Sequence, residues 1–432
     1  MGPIFIILIV VAVLVAAASG NMQAVSTASL TTAKSAVLDV ALPLVGVMAL
    51  FLGLVRILEK AGLMATLAWL LRPVFKRLFP EIPDRHPALG MMTLNISANM
   101  LGLANAATPF GIEAMRQLDR LNGKKGTATD AMCLFLAINT SNVALLPTGV
   151  IGIRVSLGSA DPMGIWVTTW LATMFSTMVG IAVALLLARL GVFRASRPPL
   201  ALDEGPAEKN DASVQEAAPP WRPGRLAVAS ALFIAATLIS ARVLVTSTPD
   251  RAGLDLVMHV LSSVLLPLLI LFMVLYGWAR GVAVYASVVE GAKQGFQVAL
   301  LIIPYLVAIL VAVGMFRASG ALDAIIGAIN PLTSAVGFPP EALPMALLRP
   351  LSGSGALGVM TEAMQTYGPD SFVGYLVSTL QGSTETTFYV LAVYGGAIGL
   401  KRTRHALPAC LIADIAGVVG ATAACHLLVS AL

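Results

Sequence analysis

Runs of more than twenty residues without a single Asp, Glu, Lys or Arg recur along this chain, among them 163–187, 256–278 and 296–316. About 20 apolar residues are enough for a helix to cross the hydrocarbon core of a bilayer. Across the 432 residues, 58% are hydrophobic and 11% are charged, where soluble domains carry about 25% charged residues. A β-barrel is excluded, because its strands alternate apolar and polar over about 10 residues instead of running continuously apolar. The expectation is an all-α polytopic membrane protein.

The remaining composition narrows the chemistry. A net charge of +5, gathered in loops, suits membrane orientation and gives no nucleic-acid footprint. Cys133, Cys410 and Cys425 sit in apolar surroundings as packing residues. His86, His259, His405 and His426 fall at no metal-ligand spacing. No P-loop lysine motif is present, so ATP has no visible role. Neither a metal nor another cofactor is expected.

The chain divides into four parts: residues 1–193, a polar linker at 194–224, two connecting membrane helices within 225–282, and residues 283–432. Pro3–Ala18 is apolar and ends in small residues but lacks the positive n-region of a signal peptide, so a retained first helix is expected. A polar segment at Gly20–Thr32 precedes a membrane helix at about Ala36–Leu58. Ala65–Phe79, with Trp69, Arg72, Lys76 and Arg77, reads as an interfacial amphipathic helix. The linker, rich in Pro, Ala, Asp, Glu and Lys, reads as disordered.

Residues 283–432 replay the first part. Lys60–Leu63 aligns with Ala318–Ala321, Pro73 with Pro331, Glu113 with Glu362, and Asn139–Asn142 with Gln381–Thr384. Each copy holds an Asn-, Gly- or Pro-rich apolar stretch, read as a re-entrant hairpin, followed by a spanning segment interrupted by small polar residues. In the first copy the loop before the interruption is basic (Arg116–Lys125) and the loop after it is not (Gly158–Pro162). In the second copy the order reverses, with Thr366–Asp370 before and Lys401–His405 after. The positive-inside rule therefore makes the two copies inverted repeats, with the N-terminus and linker cytoplasmic. About nine crossings and two hairpins result.

Broken helices leave backbone groups that can hold a solute or ion. The candidate ligand-binding residues are Asn95, Ser97, Asn99, Asn105 and Thr108 in the first hairpin, and Asn139, Thr140, Ser141 and Asn142 at the first break. Their counterparts are Arg349, Ser352 and Ser354 in the second hairpin, and Gln381, Ser383, Thr384, Glu385 and Thr386 at the second break. Ser141, Asn142, Ser383 and Thr384 are of the types that cap a following half-helix; the blander role is backbone satisfaction in a packed core. Glu385 is the one carboxylate at a break, facing Val143 in the alignment. It could hold a coupling proton or cation, or pair with Arg349, or serve a purely structural ion pair. Glu113 and Glu362 fit helix capping at the interface. Asp39 and Asp414 have no partner evident in the sequence.

These stretches resemble a known family. Residues 1–190 are similar to spore maturation protein A through Asn95–Gly102, Asn105–Pro109 and Asn139–Ser141. From about residue 283 the chain is similar to spore maturation protein B through Arg349–Ser354, Gly368–Ser371 and Gln381–Thr384. Both resemble the Gate, or nucleoside-recognition, domain, also seen in the pore region of ferrous-iron transporter B. The resemblance implies a fused inner-membrane protein, linked in spore formers to spore maturation.

The functional expectation is a secondary transporter or channel for a small polar or ionic solute, nucleoside-like or another small metabolite or ion. It would act in the plasma (inner) membrane with the lipid bilayer as its standing partner, and a homo-oligomer is allowed. The rival from another class is a non-transporting scaffold of an envelope or spore-maturation complex. An enzyme is not expected, since Ser354 has no histidine–aspartate pair at membrane depth and GxSxG and HExxH are absent.

Overall fold

The computed structural model describes residues 2–84, 86–102, 104–199, 219–247, 253–334 and 337–429. These residues are helical with no strand; one isolated bridge joins Thr127 to Arg402. Helix α1 (Gly2–Ser19) is followed by α2 (Met22–Ser35), a π-helical turn at Ala36–Ala41 that carries Asp39, and α3 (Leu42–Lys60). The polar segment is therefore helical, and Met22–Lys60 forms one 39-residue rod. The rod runs on through Pro43 at the start of α3, and the π-helical turn ends just before this residue, which has no N–H to give to the ladder.

Next come α4 (Leu63–Leu78), the hairpin arms α5 (Pro87–Met100) and α6 (Ala104–Arg120), then α7 (Asp130–Ser141), α8 (Thr148–Ser156) and α9 (Ile165–Arg189). The short α10 (Gly191–Arg194) leads to the linker, and α11 (Pro223–Ser247) and α12 (Gly253–Ala279) follow. The elements then come in the same order again. They are α13 (Val284–Ala318), α14 (Ala321–Ser334), α15 (Leu343–Leu348), α16 (Gly353–Tyr367), α17 (Phe372–Ser383), α18 (Thr387–Gly396) and α19 (Ala406–Leu428). The aligned turns match in detail. Gly62 and Gly320 both take left-handed φ, 77° and 82°, which a glycine adopts without steric cost. Both α4 and α14 carry their proline inside the helix.

Among the described residues four helices are long and apolar enough to cross a membrane: Met22–Lys60, Ile165–Arg189, Pro223–Ser247 and Ala406–Leu428. The pair Leu306–Ala318 and Ala321–Ala328, bent by 72°, makes a fifth if taken together. The count falls below nine because each interrupted segment is two short helices, 12 and 9 residues in the first copy and 12 and 10 in the second, and because the apolar stretches Phe5–Ser19 and Ser263–Ala279 are shorter than a full span among the described residues.

The two copies interlock. One apolar core joins α5, α6 and α7 to Val390 and Tyr394 of α18 and to the start of α19. Another joins α3 and α8 to α13, α15, α16 and α17. The hydroxyl end of Tyr394 packs on Gly111, where a Cβ would stand 2.3 Å from its Cζ. The α3–α13 contact is closest of all at Gly53, Gly291 and Gly295, where added Cβ atoms would meet backbone of the facing helix at 2.4–2.8 Å. At its end, Arg56 bridges Glu59 and Glu290 at 2.7 and 2.5 Å, and Lys60 also pairs with Glu290. Hydrogen bonds from Lys60 and Arg56 hold this exposed carboxylate down at about 2.

Candidate functional site

Both interrupted segments start from a capped helix. The Thr129 hydroxyl accepts from Met132 N at 3.2 Å and Ser371 from Gly374 N at 3.0 Å, satisfying donors that the first turn leaves open. Twelve residues later each helix stops, at Ser141 and Ser383. The two stops meet: Glu385 N donates to the Thr140 carbonyl at 2.7 Å, so a peptide freed in one copy completes a peptide freed in the other. The flanking long helices close in from one side. Thr177 of α9 donates to the Ser141 carbonyl at 3.0 Å, and Ser176 donates to Ala413 O of α19 at 2.7 Å. Gly180 and Gly417 make room for this approach, with Ser141 beside the first and Ser383 and Thr384 beside the second.

Each hairpin tip is bolted to its own break. Leu145 N donates to Met100 O at 2.9 Å, and Phe388 N donates to Pro350 O at 3.1 Å. Side chains add a second tie. Asn99 Nδ2 donates to Asn139 Oδ1 at 3.1 Å in the first copy. In the second, the buried Arg349 donates to Thr386 Oγ1 at 3.3 Å and to the Thr384 carbonyl, with Glu385 Oε2 at 3.7 Å. Glu385 keeps 41% of its side-chain surface open, so this pair is half wet and the arginine is the buried member.

The other expected residues divide into two groups. Asn95 donates to Ala107 O at 2.8 Å and to the Tyr394 hydroxyl at 3.0 Å, and Thr108 also hydrogen-bonds that hydroxyl. Ser97 and Thr140 spend their hydroxyls on carbonyls within their own helices. Ser352 caps α16 by accepting from Gly355 N, with Ser354 3.4 Å from it. The Asn105 side chain lies outside the described residues.

Two expectations change. Ser141 and Ser383 do not cap the following half-helix; they turn back to Ala137 O and Leu380 O at 2.8 and 2.9 Å. α8 begins at Thr148, too far on for Ser141 or Asn142 to reach its first N–H groups, and neither α8 nor α18 has a side-chain cap. Glu362 forms a bidentate pair with Arg317 at 2.5 and 3.1 Å, and Glu113 accepts from Gln117 at 2.6 Å, so neither is a helix cap. Asp414, for which the sequence offered no partner, accepts from the Thr387 hydroxyl at its Oδ2 at 2.7 Å.

Around this junction several buried polar atoms have no partner among the described residues: Asn95 Oδ1, Asn142 Oδ1, Gln381 Oε1, Arg349 Nε and Asp414 Oδ1. Buried polar groups are nearly always paired, so such a concentration marks a place for water or a ligand. A cavity of about 290 Å³ opens beside it, lined by Arg349, Pro350, Ser383, Thr384, Asp414 and Ile415 among others. No group of three or more His, Cys, Asp or Glu side chains among the described residues is placed to hold a metal ion. Sequence reasoning missed Tyr394, Ser176 and Thr177. Asp414 was within reach as an ionisable residue in an apolar span.

Both ends of the paired broken segments are closed by an arginine. At one end the fully buried Arg154 of α8 donates to Pro369 O at 2.6 Å and Asp161 O at 3.0 Å, pairs with Asp370 at 2.9 Å, and lies 4.4 Å over the Tyr375 ring. At the other end Arg404 pairs with Asp130 at 2.6 Å, Ala128 N donates to Arg402 O at 2.9 Å, and Arg197 reaches Asp130 and Glu81. His405 sits under this cluster, fully buried, edge-on to Phe193 at 5.6 Å, with neither ring nitrogen partnered among the described residues. Burial, with Arg404 beside it, pushes its pKa down from 6.5 to about 4.

The unfolded chain thus takes up a proton at His405 that the folded one refuses. Stability is unaffected above about pH 6.5 and falls as pH drops toward 4, by on the order of 3 kcal/mol. Thermal unfolding of purified protein across pH 7.5 to 4 measures this, and a His405→Phe variant is expected to flatten that part of the profile. An unchanged profile in the variant would assign the acid loss to other groups.

The apolar spans and the buried polar junction between them define a multi-pass, helical membrane protein. The chain belongs to the Gate family, described as nucleoside recognition, whose model matches residues 41–157 and 299–401. It is 52% identical over 159 residues to spore maturation protein B of Bacillus subtilis (strain 168), covering 37% of this chain and 89% of that protein. It is 39% identical over 180 residues to spore maturation protein A of the same organism, covering 42% of this chain and 91% of that protein. One chain carries counterparts of both, as a fusion of the two would.

Proposed function

We propose that this chain is a gradient-driven transporter or channel for a small polar or ionic solute, with its site where the two breaks meet. The observation that carries the reading is the Glu385 N to Thr140 O bond, surrounded by unpartnered buried polar atoms and a cavity. Irregular backbone at membrane depth persists where it lines a wet or ligand-holding space. The hairpins α5–α6 and α15–α16 enter and leave on one side, and the two copies are inverted. Two arrangements support this. The loop before α7 pairs with the loop after α18, and the loop after α8 with the loop before α17, so the broken segments run side by side in opposite directions. The Arg404 end, shared with the linker flank at Arg197, is the cytoplasmic one.

The first turns of α16 and α18 flank Arg349 and favour an anionic group. Glu385 and Asp414 are the places for a coupling proton or cation. The names of the two relatives extend the reading to spore maturation or envelope physiology. A thermal-shift screen of the purified chain against nucleosides, nucleobases, dicarboxylates and divalent metals is the direct test, since a ligand of the folded state raises its melting temperature. A hit is expected to be lost in Arg349→Gln and in Glu385→Gln, and to cross proteoliposomes under a proton or sodium gradient. A shift that survives Glu385→Ala together with Asn139→Ala would move the site elsewhere. A blank screen with no flux would favour the scaffold reading.

A further inference from the structure

The hairpin α11–α12 lies between the two Gate matches, which leave residues 158–298 uncovered. α11 buries only Ala229 and leans on α12. At the linker end of this pair a cavity of about 190 Å³ is lined by Trp221, Leu226, Phe233, Phe272 and Tyr276, with Ala229 at its floor. Its walls are mostly apolar, with Ser230 and Tyr276 supplying hydroxyls, and the Tyr276 hydroxyl is buried and has no partner among the described residues. Trp221 stands just before α11, and the other lining residues belong to the first three turns of α11 and the last two of α12. They therefore lie within about 15 Å of the helix ends, the depth at which headgroups give way to acyl chains.

Three guanidiniums gather at the same end. Arg280 lies flat over Trp221, 3.8 Å from its ring, and donates to Pro219 O at 2.8 Å. Arg225 covers Trp278 at 5.3 Å, and Arg222 packs against Gly281. None of the three has a carboxylate partner among the described residues. A snorkelling arginine would carry its head out to water. Arg280 instead turns inward, and its Nε is buried without an acceptor.

We propose that this groove is a binding site for an anionic phospholipid, its phosphate among Arg222, Arg225 and Arg280 and one acyl chain in the slot between α11 and α12. Charge complementarity selects the headgroup, because guanidiniums pair with phosphate oxygens in a planar, bidentate way and basic pockets between membrane helices hold anionic headgroups. The apolar slot selects a lipid over a free anion, which would have no use for Phe233 and Phe272. The bound chain fills the gap beside α11 and fastens that helix to α12.

Native mass spectrometry of the full chain, purified with added phosphatidylglycerol, with phosphatidylcholine at the same ratio, or with inorganic phosphate, tests the assignment. Phosphatidylglycerol is expected to be retained in preference to phosphatidylcholine, with retention falling roughly fivefold per arginine removed in R225Q and R225Q/R280Q. The pair R72Q/K76Q on α4, equally basic and interfacial, is expected to leave it unchanged. Equal retention of the two lipids, or a preference that persists without Arg222, Arg225 and Arg280, would overturn the proposal. So would competition by inorganic phosphate alone, which would make the site one for a free anion. R225Q alone carries the test if the double variant aggregates, because among the described residues that side chain's hydrogen bond and ring contact both go to Trp278.

Discussion

Asp370→Ala is expected to destabilise the folded protein more than Arg154→Met does, although both break the same ion pair. Arg154 has no exposed surface, while the Asp370 side chain keeps 36% of its own. Removing the carboxylate strands a buried guanidinium, which costs about 3–5 kcal/mol when nothing replaces the partner. Asp161 stays close through its Tyr375 hydrogen bond at 2.9 Å, which places the loss toward the lower figure. The Asp370→Ala change also frees Ala160 N and the Ser159 hydroxyl, which bond Asp370 at 2.7 and 2.5 Å. Methionine at 154 removes the charge along with its desolvation cost and keeps apolar contact with Tyr375. The double variant is then expected to resemble Arg154→Met alone, giving a large coupling in a double-mutant cycle of thermal stabilities. Equal single effects that simply add would mean that the network has little net interaction.

Gly295→Leu is the second large effect. At this position a Cβ would lie 2.6 Å from Met48 O and 2.7 Å from the Ala49 Cα, both backbone atoms that cannot swing aside. α3 and α13 must separate, and Gly291, 2.4 Å from Leu52 O by the same construction, loses its contact with them. Overpacking typically costs about 1–3 kcal/mol; a rigid backbone seam between membrane helices, which depends on small residues for close approach, belongs at the upper end. Gly46 on the same α3 meets nothing within 4 Å, so Gly46→Ala is expected to be neutral or slightly stabilising through helix propensity. Monodispersity after extraction and the unfolding temperature separate the two. A well-behaved Gly295→Leu protein would show that α3 and α13 can part at this seam at little cost.

What the sequence disclosed followed how locally each feature is encoded. The helix stops at Ser141 and Ser383 could be placed from the polar residues that interrupt two apolar runs, and the Arg349–Glu385 association followed because hairpin and break are near neighbours along the chain. The roles of individual hydroxyls were not legible. Whether a serine caps forward or bonds back depends on where the next helix starts, and the first break runs six residues before Thr148. Tyr394 reaches Asn95 and Arg154 reaches Asp370 across 299 and 216 residues. Such pairs are fixed by how the two copies interlock, and no periodicity in either copy records it. The linker-side arginines were visible as orientation signals; only packing shows Arg280 lying inward over Trp221.

The bond between Glu385 and Thr140 also puts a clock on biogenesis. The ribosome delivers Thr140 about 245 residues before the amide that completes it. At ~5–20 residues per second that gap lasts roughly 12–50 s. During it the first break must wait with the Thr140 carbonyl lacking its final partner, a costly state wherever water does not reach. Two copies on separate chains would face the same delay as an encounter between two molecules. Joining the copies through one linker turns that encounter into a step within a single molecule.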